Sequence, residues 1–212
     1  MSSVETTPVA PTDLSRRERR KLEVRGRMLE AASELFGEHG FQATKVADIC
    51  ERADVAHKTF FNHFPSKQHL LREIANHGID ELLVDLEAAR KQEQTTPQRL
   101  AAFFGVVAQR MVEGGPMNRE LVTELVHVVH GSPSKSEQAR RLHDAFAKIV
   151  SDGLEAGDVT RRHDEETLTE MIMGAYYVLM FNYANLDDFP IEQQAAAVAR
   201  FLGDALAAPA ED

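Results

Sequence analysis

An all-α fold follows from three observations on this chain of 212 residues. Apolar residues recur at helical spacing in one segment after another. Serine, threonine, aspartate and proline stand where such segments open, and glycine or proline where they close. No stretch sustains the apolar–polar alternation of a half-buried strand. Together the segments predict about nine helices.

Residues 1–14, rich in Ser, Thr and Pro, read as a disordered tail. Ser15-Arg16-Arg17-Glu18 has capping-box spacing and opens a helix with the apolar stripe Leu22, Met28, Leu29, Ala32, Leu35 and Phe36. Gly40 stops it. Thr44 caps a short second helix that ends near Arg52. A third runs from near Ala56 to Phe64, because Pro65 supplies no backbone N–H. Ser66 then caps a long helix carrying Leu70, Leu71, Ile74, Ala75, Ile79, Leu82, Leu83 and Leu86. Thr96-Pro97 places an N-cap before a first-turn proline, with Leu100, Phe103, Phe104, Val107, Ala108 and Met111 following at helical spacing. Gly114-Gly115-Pro116 breaks the chain, and Leu121, Val122, Leu125, Val128 and Val129 mark the next helix. Ser134-Lys135-Ser136-Glu137 is a second capping box, opening a helix that stops at Gly157. Asp164-Glu165-Glu166 sets acid on the N-terminus of a helix reaching about Leu186, and Pro190 opens the last, which ends near Leu206.

Composition is that of an ordinary globular protein, 43% hydrophobic and 27% charged. No apolar run approaches the roughly 20 residues that span a bilayer, the polar first residues lack a secretory core, and the single Cys50 makes no internal disulfide. These features predict a cytoplasmic protein without membrane contact. The net charge of −10 is unevenly spread: residues 1–72 carry 12 Lys+Arg against 10 Asp+Glu, and the remainder 12 against 24. Seven basic residues and two acidic ones fall between Arg16 and Arg27. Read alone, that cluster is a solvated helix face; beside a DNA-reading element it is a phosphate-facing one.

Two short helices with a tight connection, flanked by longer ones, have the shape of a helix-turn-helix. The first packs inward through Val46, Ile49 and Cys50, the turn is Asp54-Val55, and the second presents His57, Lys58 and Thr59 at its N-terminal edge while Phe60 and Phe64 pack backwards. The run from Thr44 to Lys67, and within it Thr59-Phe60-Phe61-Asn62-His63-Phe64-Pro65-Ser66-Lys67, resembles the DNA-binding signature of the TetR family. The strong similarity covers about residues 20–75; the rest agrees in helix count and length. The resemblance implies a helix-turn-helix domain over 15–65, an effector-binding and dimerisation domain over 66–212, and a cytoplasmic homodimer that binds operator DNA, represses, and is released by a small molecule.

By the same resemblance Thr44, Thr59, His63 and Lys67 position phosphates, His57 and Lys58 reach base edges, and Lys45, Phe61 and Asn62 belong to the same surface. Three positions depart from the family pattern: Asp54 stands where Gly is common, Ala56 where a hydroxyl or amide is common, and Phe61 where Tyr is usual. The last two remove backbone contacts, for which Lys58, where Gly or Pro is frequent, supplies compensating charge. In the back half, Phe103, Phe104, Val107, Met111, Leu125, Phe146, Met173, Tyr176, Tyr177 and Met180 are the candidate effector lining, suited to a largely apolar ligand with one or two polar handles. Residues of these types are, by default, plain core. Tyr183, Ala197, Val198, Phe201, Leu202 and Ala205 are the candidate dimer contacts. No cofactor or metal site is expected; His127 and His130 have metal-compatible spacing but no third ligand in view. A helical protein-binding adaptor is the competing class, and an enzyme a weaker one, since no catalytic motif is present.

Overall fold

The computed structural model describes residues 15–115, 117–123 and 137–209, and among them every regular element is a helix. The helices are α1 (Arg16–His39), α2 (Val46–Arg52), α3 (His57–His63), α4 (Lys67–Gln92), α5 (Thr96–Glu113), α6 (residues 117–123), α7 (Glu137–Ala156), α8 (Glu165–Asn185) and α9 (Ile191–Leu206). Nine helices among the described residues, with no strand, make the all-α expectation correct. The expected tail over 1–14, the capping box at Ser134–Glu137 in its first three positions, and Leu125, His127, Val128, Val129 and His130 lie outside the described residues. Contacts divide the chain into two compact units, Met1–Leu70 and Leu71–Asp212.

In the N-terminal unit Ser15 caps α1 reciprocally with Glu18, each side chain bonding the other's backbone N–H. The buried face of α1 is Met28, Ala31, Ala32, Leu35 and Phe36; Leu22, expected in that stripe, is exposed. Ile49, Phe60 and Phe64 complete the core. Thr44 does not cap α2. Lys45 holds the N-cap position, its N–H bonded to Asp48 at 2.9 Å, while the buried Thr44 hydroxyl bonds back to the carbonyls of Leu35 and Gly40 at 3.1 and 2.9 Å.

In the C-terminal unit α9 packs chiefly on α5, and α7 on α8. The core joins Leu100, Phe103, Phe104, Phe146, Ile149, Ile172, Leu179 and Leu202. Thr95, not Thr96, caps α5, in a box with Gln98. Thr96 is instead buried in the first turn, its N–H and hydroxyl both bonded to Asp158. That contact brings α5 so close to α7 that Gly153 has no room for a Cβ between Thr96 and Val159. Asp164 caps α8 through the Thr167 N–H at 2.7 Å, and that bond draws the Asp164 carboxyl below its usual range. A one-residue antiparallel bridge, Val159 to Ala207, ties the α7–α8 connection to the end of α9.

Candidate functional site

The two short helices are held by their turn. Ala53, Asp54 and Val55 donate backbone bonds to Ile49, Glu51 and Cys50, so the chain reverses within one turn of α2. Asp54 has φ 51°, the left-handed conformation that glycine adopts freely and an aspartate accepts at a cost of about 1 kcal/mol. The turn therefore keeps the backbone shape of the glycine version. Ala56 holds the N-cap position of α3 with no side-chain bond to the helix, so the missing hydroxyl leaves a donor of the first turn uncapped.

Helix α3 turns Phe60 into the core and leaves His57, Lys58, Phe61 and Asn62 exposed, with Thr59 and His63 half-buried. The expected reading surface is thus one contiguous outward face. Arg16, Arg17, Arg19, Arg20 and Lys21 are exposed at the start of α1. Arg25 caps the carbonyl of His63 at 3.3 Å and lies 4.5 Å above the Phe64 ring. The His63 Nδ1 is buried and without a hydrogen-bond partner among the described residues. Burial, and after it the charges of Lys21 and Arg25, hold the His63 pKa below its ordinary value. The link from His63 to Lys21 and Arg25 on α1 was not part of the sequence expectation; no spacing rule joins positions on two helices.

Two of the expected phosphate contacts have other partners. The Thr44 hydroxyl is buried in the α1–α2 connection, as described. The Lys67 ammonium donates to the carbonyls of Phe41 at 2.5 Å and Thr44 at 2.7 Å and stands 4.2 Å from the Phe41 ring centroid. It braces the start of α4 against the α1–α2 connection.

In the C-terminal unit Phe103, Phe104, Phe146, Tyr176 and Tyr177 do come together, with ring centroids 5.2–6.2 Å apart. Val107, Met173 and Met180 are buried with them, and Met111 is half-buried against the same core. They are packed as core aromatics, Phe103 edge to face with Phe104 and Phe146 and the tyrosine pairs tilted. The Tyr177 hydroxyl is buried with no partner among the described residues, and its pKa is raised by burial and then by Glu170. An open groove of about 380 Å³ lies elsewhere, between α5 and α9, lined by small residues including Gly105, Ala108, Ala195 and Ala199.

The candidate dimer residues separate into two groups. Phe201 is 70% exposed and Ala205 is exposed, Ala197 is half-buried, and Val198 is half-buried against the chain's own core. Tyr183 and Leu202 are buried in the chain's own core, and the Tyr183 hydroxyl bonds the Met111 carbonyl at 3.0 Å. These two pack α8 and α9 onto their own chain. On α8 the outward apolar stripe is instead Met171, Val178 and Phe181, none of them among the expected dimer contacts, because the stretch Met171–Tyr183 is apolar on almost every side.

Residues 28–74 match the family described as bacterial regulatory proteins, tetR family. The transcriptional repressor KstR of Mycolicibacterium smegmatis is 28% identical over 140 residues, 66% of this chain and 66% of that protein. KstR of Mycobacterium tuberculosis is 26% identical over 140 residues; the match spans 66% of this chain and 61% of the relative's length. Among solved structures, a TetR-family regulator of Pectobacterium atrosepticum superposes with a TM-score of 0.72 at 20% identity, covering 91% of this chain and 96% of that one. Thermus thermophilus FadR, a TetR-family repressor in complex with lauroyl-CoA, superposes with a TM-score of 0.60 at 22% identity, covering 89% and 99%. These two likenesses carry the fold. A helix-turn-helix regulator is the class that the N-terminal unit defines. Residues 28–74 thus carry the DNA-binding domain type of the tetR family, and the chain as a whole has the fold of TetR-family structures.

Proposed function

We propose that the chain is a ligand-responsive cytoplasmic repressor that binds a near-palindromic operator as a two-fold dimer. The observation that carries this reading is the outward face of α3, where His57, Lys58, Phe61 and Asn62 stand clear while Phe60 anchors the helix. His57 and Lys58, at the N-terminal end of α3, read base edges in the major groove. Thr59, Lys45 and the α1 cations meet phosphates. His63 belongs with Lys21 and Arg25: two cations beside an imidazole whose protonation they and burial disfavour make a place an anionic phosphate relieves. Thr44 and Lys67 hold the frame that presents these groups.

The dimer forms through Met171, Val178 and Phe181 of α8 with Ala197, Val198, Phe201 and Ala205 of α9. Exposed apolar side chains in one stripe mark an interface more often than a solvated surface. Two recognition helices then lie about 34–36 Å apart, one turn of the duplex. The effector is a small, largely apolar molecule that opens the aromatic cluster around Phe103 and Tyr176, with the unpartnered Tyr177 hydroxyl as its polar handle. It weakens operator binding only by preferring the DNA-incompetent state, and the coupling is reciprocal.

Gel retardation with fragments of the source genome, at stated salt, followed by footprinting, tests the reading. The expected result is protection of a palindrome, with Lys58→Ala weakening it and relaxing the preference at one base pair per half-site. Retardation of all fragments alike, or of none, overturns it.

A further inference from the structure

We propose that His143, Glu166 and Glu170 form a binding site for a zinc-class divalent ion that fastens α7 to the first turns of α8. This goes beyond DNA binding and does not depend on it. Glu166 and Glu170 are one helical turn apart on α8, so both carboxylates leave the same face. His143 reaches them from α7, and the three ligating atoms lie within 4.8 Å of one another. The His143 Nε2 is 3.6 Å from Glu166 Oε1 and 3.5 Å from Glu170 Oε1.

Those distances are longer than those of a hydrogen-bonded ion pair. An imidazolium hydrogen-bonded to a carboxylate closes to about 2.7–2.9 Å. Here neither bond is made, and the Nε2 atom is buried with no hydrogen-bond partner among the described residues. Two ligands each about 2.0–2.1 Å from a tetrahedral ion are separated by about 3.3–3.4 Å, close to both observed spacings. The imidazole ring is largely buried and the two carboxylates are exposed, so the nitrogen is preset and an ion enters from the solvent side. Asp144 Oδ1 stands 3.9 Å from the other ring nitrogen, where a small adjustment gives the outer carboxylate that orients a ligating imidazole.

One nitrogen and two carboxylates suit zinc, cobalt or nickel better than magnesium or calcium, which prefer all-oxygen shells. Three protein ligands leave one tetrahedral position for water. The donors found here come from two helices and are separated by more than 20 residues in the chain.

The test uses the full-length chain, freed of any affinity tag and stripped with a chelator. Zinc chloride titrated into it by calorimetry is expected to bind at one ion per chain, and cobalt(II) to give the visible absorption of a tetrahedral site. His143→Ala, and separately Glu166→Gln with Glu170→Gln, are expected to weaken zinc binding by roughly 10-fold or more. The two glutamines replace exposed carboxylates and leave folding intact, so they decide the matter if the alanine variant misfolds. His127→Ala with His130→Ala is expected to bind as the parent does. No saturable zinc binding, binding unchanged in the glutamine variant, or binding lost in the His127/His130 variant overturns the proposal.

Discussion

Replacing Lys67 by methionine keeps the apolar stem and removes the ammonium, and the structure sets the size of the effect. The ammonium makes two charge-assisted bonds, at 2.5 Å to the Phe41 carbonyl and 2.7 Å to the Thr44 carbonyl, in a part-buried setting. Each such bond contributes about 1.5–3 kcal/mol where water is excluded, and less at this partial burial. The Phe41 ring beneath the charge adds about 0.5–1 kcal/mol. Discounting for solvent, the variant loses about 2–4 kcal/mol from the N-terminal unit, a large share of the roughly 5–15 kcal/mol that holds a domain together. Urea unfolding followed by circular dichroism measures this loss, and the salt dependence of operator affinity supplies the second reading. A brace leaves the slope of log affinity against log salt unchanged for the folded fraction. A phosphate contact lowers it by about 1 per site, or about 2 per dimer. Unaltered stability together with a slope lowered by about 2 refutes the assignment of Lys67 as a brace.

Ala56→Ser restores the missing N-cap of α3 and is expected to raise stability by about 1 kcal/mol and tighten operator binding; an unchanged melting curve counts against an uncapped first turn. His63 supplies a pH dependence whose sign follows from its lowered pKa. Above the ordinary histidine value of 6.5 the ring is neutral folded or unfolded; below it the unfolded chain takes up the proton first, so stability falls as pH drops through that value. A phosphate beside Lys21, Arg25 and His63 favours the imidazolium, so operator affinity rises over the same interval, and equal pH profiles for the parent and His63→Gln exclude the contact. Phe201→Glu removes a ring that buries about 1.5–3 kcal/mol in each protomer, about 3–6 kcal/mol per dimer, and is expected to raise the dimer dissociation constant roughly 100-fold or more in sedimentation. A dimer as tight as the parent's places the interface elsewhere.

The sequence alone determined what depends on neighbours a few residues away. Helix periods, the capping box at Ser15, the stop at Gly40 and the turn at Asp54-Val55 are all settled within one or two turns of chain, because propensity, capping and alternation act over that range. The helix-turn-helix was therefore legible before any tertiary contact was known, including the uncapped start of α3 at Ala56. Roles decided by distant partners were not. Thr44 and Lys67 have the residue types of phosphate ligands, and only the packed α1–α2 connection turns their donors inward. Tyr183 and Phe201 looked alike as interface residues until packing buried one against Met111 and left the other outside. On α8, apolar on almost every side from Met171 to Tyr183, no period says which face meets its own core; packing against its neighbours decides that Met171, Val178 and Phe181 face out. His143 meets Glu166 and Glu170 only because two helices lie side by side. Local pattern carries the first kind of information because it is written in consecutive residues. The second kind is a property of which surfaces water is driven from, and it exists only once the helices have packed.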